Sequence, residues 1–277
     1  MSDAQGRYIE FCKSSFTDLD LNGLSILLDC ANGATYSVAP KVFSELGANI
    51  ETIGASPDGI NINQNCGSTS PNALKEAIIK GSYDIGIAFD GDGDRILIVN
   101  SDGDILDGDD ILYILSKEIP TNSGVVGTLM TNKALELYFQ NEGIEFSRAD
   151  VGDKYVLQRL IERSWSLGGE PSGHIICLDS APTGDAIVAA LKFLNAIKDK
   201  GFSIEKSLEG FKKFPQTLIN LKVNNPNKII ISDKFWEKVT EIELQLGEDG
   251  RVLIRPSGTE PLIRIMVESK DSGISEN

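Results

Sequence analysis

The densest chemistry in the chain lies at Asp90-Gly91-Asp92-Gly93-Asp94-Arg95, where three carboxylates alternate with glycine and an arginine follows. Carboxylates this close repel one another, and a hard divalent cation bound through oxygen relieves that repulsion most simply, so the spacing points to Mg²⁺ on Asp90, Asp92 and Asp94. Two other readings compete. A solvated acidic turn would need no ion, and an EF-hand calcium loop would need Gly at its sixth position and Glu at its twelfth, where this chain has Arg95 and Ser101. The calcium loop therefore fails at both positions. Arg95 beside such a cluster suits a phosphoryl group, which a guanidinium holds through two parallel hydrogen bonds.

A second constellation, Gly169-Glu170-Pro171-Ser172-Gly173-His174, brings a carboxylate, a hydroxyl and the chain's sole imidazole within five residues. Glu170 can accept hydrogen bonds from sugar hydroxyls, Ser172 can donate or accept, and His174 can bind phosphate or move a proton. An ordinary turn with a surface histidine is the competing reading. Ser172 lacks the flanking residues of a G-x-S-x-G nucleophile elbow. A third stretch, Arg255-Pro256-Ser257-Gly258-Thr259-Glu260-Pro261 with Arg264 just beyond, has the hydroxyls, glycine and guanidinium charge of an anion cradle. A tight Ser-Gly hairpin would explain Gly258 but not the two arginines around it. Asp102-Gly103-Asp104 reads as a hairpin turn and Asp107 to Asp110 as a helix start, where acidic side chains favour the helix dipole.

The elements that must carry these motifs alternate. Apolar runs at 24–28, 85–89, 96–99, 125–130 and 144–147 read as strands, and amphipathic patterns at 38–46, 71–80, 109–118, 133–141, 154–163 and 185–198 as helices. Such alternation predicts βαβ units with mostly parallel sheets. After a short helix at 204–211 the pattern changes to strands at 217–223, 252–255 and 262–267 around one helix at 232–246. The expected fold is α/β: two βαβ-type domains at 1–102 and 103–213, then a smaller α+β domain at 214–277. The metal loop follows strand 85–89 directly, at the strand's carboxyl end, where open α/β sheets bind ligands.

Composition narrows the choices further. The 277 residues carry 26 basic and 41 acidic side chains, a net charge of −15, which argues against an extended nucleic-acid surface. The four cysteines, Cys12, Cys30, Cys66 and Cys177, form no C-x-x-C pair and suggest neither a zinc site nor a disulfide framework. No stretch approaches the ~20 apolar residues of a membrane span and the N-terminus has no signal-peptide core, so a cytoplasmic protein is expected.

These three motifs, in this order, resemble the α-D-phosphohexomutase superfamily, and most of all its bacterial phosphoglucosamine mutase branch. Further text supports the likeness: residues Gly6 to Lys13, Asp29-Cys30-Ala31-Asn32-Gly33-Ala34, Asn61-Ile62-Asn63, Val151-Gly152-Asp153 and Arg255 through Met266. The resemblance implies four domains around a central cleft and interconversion of glucosamine 6-phosphate and glucosamine 1-phosphate. A phosphoserine on the first domain would donate its phosphoryl group, and a sugar bisphosphate would reorient before the serine is rephosphorylated. It gives Asp90, Asp92 and Asp94 to Mg²⁺, Arg95 to the transferring group, and Glu170, Ser172 and His174 to the sugar. Arg255, Ser257, Gly258, Thr259 and Arg264 would hold the phosphate that is not reacting. Lys154, where close relatives usually carry arginine, and His174 are the candidate bases. Residue 1 corresponds to a point near the start of the second domain, so the chain is expected to lack the serine domain, to end short of a last helix, and not to turn over without that domain in trans. The alternatives are a phosphomannomutase or phosphoglucomutase, and a non-catalytic phosphosugar-binding protein.

Overall fold

The structure, a computed structural model, describes residues 3–223, 232–256 and 261–271. The chain divides into two compact units. The first comprises residues 1–130 and 144–209, the second residues 131–143 and 210–277.

The first unit contains two mixed sheets. In the first sheet, β1 (Ser25–Asp29) lies between β2 (Asn49–Ile53) and β3 (Ile85–Phe89), all parallel, and β4 (Ile96–Asn100) and β5 (Ile105–Leu106) extend it antiparallel in the order β2-β1-β3-β4-β5. Every residue of β3 is buried, as expected of a central strand covered on both faces. Leu27, Ala88 and Val99 of this sheet form a core with Leu74 and Ile78 of α3 (Asn72–Lys80). The helices α1 (Ala4–Ser14) and α2 (Ala39–Glu45) precede β1 and β2 respectively.

The second sheet has the order β7-β6-β8-β9. Here β6 (Gly124–Thr128), β7 (Glu145–Ala149) and β8 (Leu167–Gly169) are parallel and β9 (Ile175–Cys177) returns antiparallel. Val126, Ala149 and Ile176 pack with Val156 and Leu160 of α6 (Asp153–Arg163) and with Trp165. The antiparallel returns of β4 and β9 make both sheets mixed. Each return is a hairpin that brings the chain back beside the strand it has just left.

Acidic residues Asp107 to Asp110 start α4 (Gly108–Ser116), as the sequence predicts. The Asp107 carboxylate accepts from the Asp109 and Asp110 amides and the Asp110 carboxylate accepts from the Asp107 amide, a reciprocal capping box. Every residue of α4 is buried, and it packs against the largely buried α7 (Ala186–Ile197), which Asp185 caps and which also meets β4. A short helix, α8 (Ile204–Leu208), closes this unit's sequence.

In the second unit, β10 (Gln216–Lys222), β12 (Leu262–Ser269) and β11 (Gly250–Pro256) form an antiparallel sheet in that order. The unit also holds α5 (Lys133–Glu142) and α9 (Asp233–Leu246). Glu268 is fully buried and gathers this unit: Arg251 and Gln216 donate to its carboxylate, and the Lys133 amide donates at 3.2 Å. No helix among the described residues is long and apolar enough to cross a membrane.

Five of the described strands and α-helices are not anticipated from the sequence, each for a physical reason: β5 has only two residues. The α1 helix buries only Ile9 and Cys12, so its apolar stripe is thin. β2 is an edge strand with no buried residue, and β8 and β9 span three residues each.

Candidate active site

The acidic loop at residues 90–95 begins where β3 ends. Asp90 is buried, and its Oδ1 accepts from the Asp94 amide at 3.1 Å and the Arg95 amide at 3.0 Å, so the loop curls around its own first carboxylate. Burial pushes the Asp90 pKa up; the Arg95 amide opposes this shift and Asp94 reinforces it. One carboxylate oxygen from each of Asp90, Asp92 and Asp94 can be chosen so that all lie within 4.8 Å of one another. Asp94 Oδ1 is buried without a hydrogen-bond partner among the described residues. An all-carboxylate donor set with an orphaned buried oxygen fits a hard cation. The Arg95 Nε lies 3.7 Å from Asp90 and 3.8 Å from Asp94, with the side chain 44% exposed.

Backbone from two directions fixes the loop. The Ala34 amide donates to the Gly91 carbonyl at 2.8 Å and the Ala186 amide to the Gly93 carbonyl at 3.0 Å. Ala34 follows a turn in which Ala31 and Asn32 both adopt positive φ, 54° and 48°, with Gly33 so close that a Cβ there would lie 2.2 Å from the Gly91 oxygen. The buried Asp29 carboxylate holds this turn, accepting from the Ala31 amide at 3.0 Å and the Gly67 amide at 2.7 Å. The Ser68 amide in turn donates to the Phe89 carbonyl, one residue before Asp90. The Asp29-to-Ala34 stretch, visible in the sequence as a glycine-bearing turn and as part of the family likeness, is thus the support on which the acidic loop rests.

The histidine loop joins the same place. The Ile96 amide donates to the Gly173 carbonyl at 3.0 Å, and Arg95 and His174 pair as an isolated antiparallel bridge. Gly173 has φ +90°, and a Cβ there would lie 2.0 Å from the Ile96 oxygen, so only glycine permits this approach. His174, 4% exposed, brings Nδ1 to 3.2 Å from Asp94 Oδ2. It is therefore not the surface histidine of an ordinary turn. Glu170 is buried, with Oε2 accepting from the Gly152 amide at 2.9 Å, whereas Ser172 is exposed. That bond ties the Val151-Gly152-Asp153 turn, and with it the start of α6, to the histidine loop. Lys154, one residue into α6, is exposed, its ammonium 4.6 Å from the Tyr155 ring.

Two contributors lie outside the three sequence motifs. Tyr8 of α1 places its hydroxyl 2.8 Å from both oxygens of Asp185, and burial followed by the Asp185 charge raises its pKa well above the ordinary phenol value. Asp185 itself caps α7 beside Ala186. Asp185 was legible as a cap before an apolar helix, but its link to the metal loop joins residues far apart in the chain. A cavity of about 240 Å³ is lined by Tyr8, Thr35, Asp92, Asp94, Gly184 and Asp185, among others.

In the second unit, Arg255 and Arg264 face each other as direct partners in the β11–β12 register. Ser257, Gly258 and Thr259 lie outside the described residues.

Three descriptions of one family match along the chain: phosphoglucomutase/phosphomannomutase α/β/α domain II at residues 6–103, α/β/α domain III at 107–214 and the C-terminal domain at 218–276. The chain belongs to the phosphoglucomutase/phosphomannomutase family. Among its relatives, the phosphoglucosamine mutase of Legionella pneumophila (strain Corby) is 50% identical over 279 residues, covering 99% of this chain and 61% of the relative. That of Aeromonas salmonicida (strain A449) is 52% identical over 275 residues, covering 98% and 62% respectively. The chain thus spans about three fifths of the length of the curated relatives it matches. The fold is shared with Aspergillus fumigatus N-acetylphosphoglucosamine mutase, whose crystal structure is a complex with GlcNAc-6P and magnesium. The TM-score is 0.82 at 19% identity, covering 98% of this chain and 68% of that one. This family member therefore carries the family's α/β domains and its smaller C-terminal domain in the order the sequence predicts.

Proposed function

We propose that this chain is the metal-, sugar- and phosphate-binding part of a phosphoglucosamine mutase, interconverting glucosamine 6-phosphate and glucosamine 1-phosphate by phosphoryl transfer through a bisphosphate. The observation that carries this reading is the junction of the Asp90, Asp92 and Asp94 carboxylates with Arg95 and His174 at the end of β3. The phosphoglucosamine mutases at about half identity support the choice of sugar. Divisions near residues 102 and 213 would separate the metal, sugar and phosphate loops onto successive domains.

Asp90, Asp92 and Asp94 would hold Mg²⁺, which when bound supplies charge compensation for the transferring group. Arg95, half-exposed beside these carboxylates, donates to phosphoryl oxygens as their charge redistributes. The Gly152 amide orients Glu170 to accept sugar hydroxyls, and exposed Ser172 adds a further hydrogen bond. Arg255 and Arg264, paired in the β11–β12 register, provide two guanidiniums for the phosphate that is not reacting, and Ser257, Gly258 and Thr259, between them in sequence, are assigned to the same phosphate. Of the two candidate bases, Lys154 is exposed, whereas His174 turns one nitrogen to Asp94 and the other to Gly184. We assign proton transfer to Lys154 and give His174 a place in the metal site.

Turnover is expected only with a phosphoserine-bearing first domain. The test supplies such a domain from a relative in trans, adds Mg²⁺, and follows glucosamine, glucose and mannose phosphates by ³¹P NMR. Conversion of glucosamine phosphate above the others, lost in Asp92→Ala, is the expected result. A preference for mannose phosphate would refute the substrate assignment, and binding of phosphosugar without turnover in any mixture would leave a non-catalytic binding protein.

A further inference from the structure

We propose that Gly184-Asp185-Ala186, the turn that starts α7, positions the metal loop: Gly184 seats His174 against Asp94, and Tyr8 locks the turn through Asp185. The inference rests on the metal reading above and extends it to residues that touch neither cation nor sugar.

Three consecutive residues of this turn each lead toward the loop. The Ala186 amide donates to the Gly93 carbonyl at 3.0 Å and so fixes the peptide between Asp92 and Asp94. The Asp185 carboxylate accepts from the Ile187 and Val188 amides at 3.0 Å, which holds Ala186 at the helix start with its own amide turned outward to Gly93. Capping needs only this carboxylate. The Tyr8 hydroxyl, reaching the same carboxylate from α1, is an additional lock, and its raised pKa keeps it a hydrogen-bond donor.

Gly184 acts through space it leaves empty. Its φ lies outside the left-handed region, so the backbone itself accepts alanine there. What excludes a side chain is the imidazole: an added Cβ would lie 2.2 Å from His174 Nε2, 2.7 Å from Cε1 and 3.0 Å from Cδ2. His174 is buried, and its other ring nitrogen sits 3.2 Å from Asp94 Oδ2. A methyl group at residue 184 therefore displaces the ring from Asp94. Residues one shell out from a metal orient its ligands in this way, and their loss weakens metal binding with the ligands intact.

The full chain is titrated with Mn²⁺, followed by electron paramagnetic resonance and calorimetry, in wild type, Asp92→Ala, Gly184→Ala, Tyr8→Phe, His174→Ala and the Gly184→Ala/His174→Ala pair. Gly184→Ala is expected to weaken Mn²⁺ binding by about tenfold or more, the usual cost of an outer-shell change. In the His174→Ala background it should cost nothing further, because the ring that the methyl group meets is gone. Tyr8→Phe is expected to give a smaller loss, and supplies the test should Gly184→Ala fail to fold. Wild-type affinity in both Gly184→Ala and Tyr8→Phe, or an equal loss from Gly184→Ala in both backgrounds, would overturn the proposal while the metal site stands. If wild type binds no Mn²⁺, or Asp92→Ala binds it equally well, the metal reading falls and this inference falls with it.

Discussion

Asp29 shows how one buried side chain can organise loops distant in sequence. Its two oxygens take the Ala31 and Gly67 amides, and the segments they belong to reach the Gly91 carbonyl through Ala34 and the Phe89 carbonyl through Ser68. Burial raises its pKa from 3.8 despite those two hydrogen bonds. A carboxyl with a raised folded-state pKa binds its proton more tightly folded than unfolded, so its contribution to stability is full below the unfolded value and is lost as pH rises through the folded value. Asparagine does not titrate, and its NH₂ group would oppose one of the two amide donors. Wild type should therefore exceed Asp29→Asn in thermal midpoint by the largest margin at acid pH, with the margin shrinking as pH climbs above 3.8. A margin that widens with pH would contradict this account. That Asp29 precedes a glycine-bearing turn is visible in the sequence. Its second donor, Gly67, is 38 residues away and is not.

At the scale of elements, local signals made most of the helices readable. The Asp107-to-Asp110 stretch could be separated from the metal loop because acidic residues before an apolar run have a ready explanation in helix capping, and the structure supplies it. Replacing Asp107 by Ala should remove about 1 kcal/mol from stability in denaturant titrations, with faster amide exchange at Asp109 and Asp110. Glycine spacing is equally informative where φ is positive: Gly143 ends α5 with φ 69°. Short strands were harder to see. β8 and β9 have three residues each, too few for a period, and they exist because β6 and the β8–β9 hairpin provide partners. The histidine loop is the connection between those two strands, so its shape depends on elements that local patterning does not reveal.

At the scale of the whole molecule, the second unit is assembled from separated stretches of chain, and Glu268 is where they meet. It receives Arg251 from β11, Gln216 from β10 and the Lys133 amide at the start of α5, while Arg251 also donates to the Thr131 carbonyl at 2.8 Å. Removing one partner of a buried ion pair costs roughly 3–5 kcal/mol. Glu268→Ala should therefore lower stability by that amount, with amide protection lost first in β10, β11 and β12; protection retained in those strands would refute this role. By itself the sequence determined the alternation of strands and helices, the three chemical motifs and the family, because each is written in side-chain periodicity or in residues a few positions apart. Only the tertiary structure decided that His174 leans on Asp94, that Asp29 supports the acidic loop, and that Tyr8 and Gly184 belong to its setting. The physical reason is range: these relations are hydrogen bonds and close contacts between segments tens to nearly two hundred residues apart, set by how the strands order themselves in two mixed sheets.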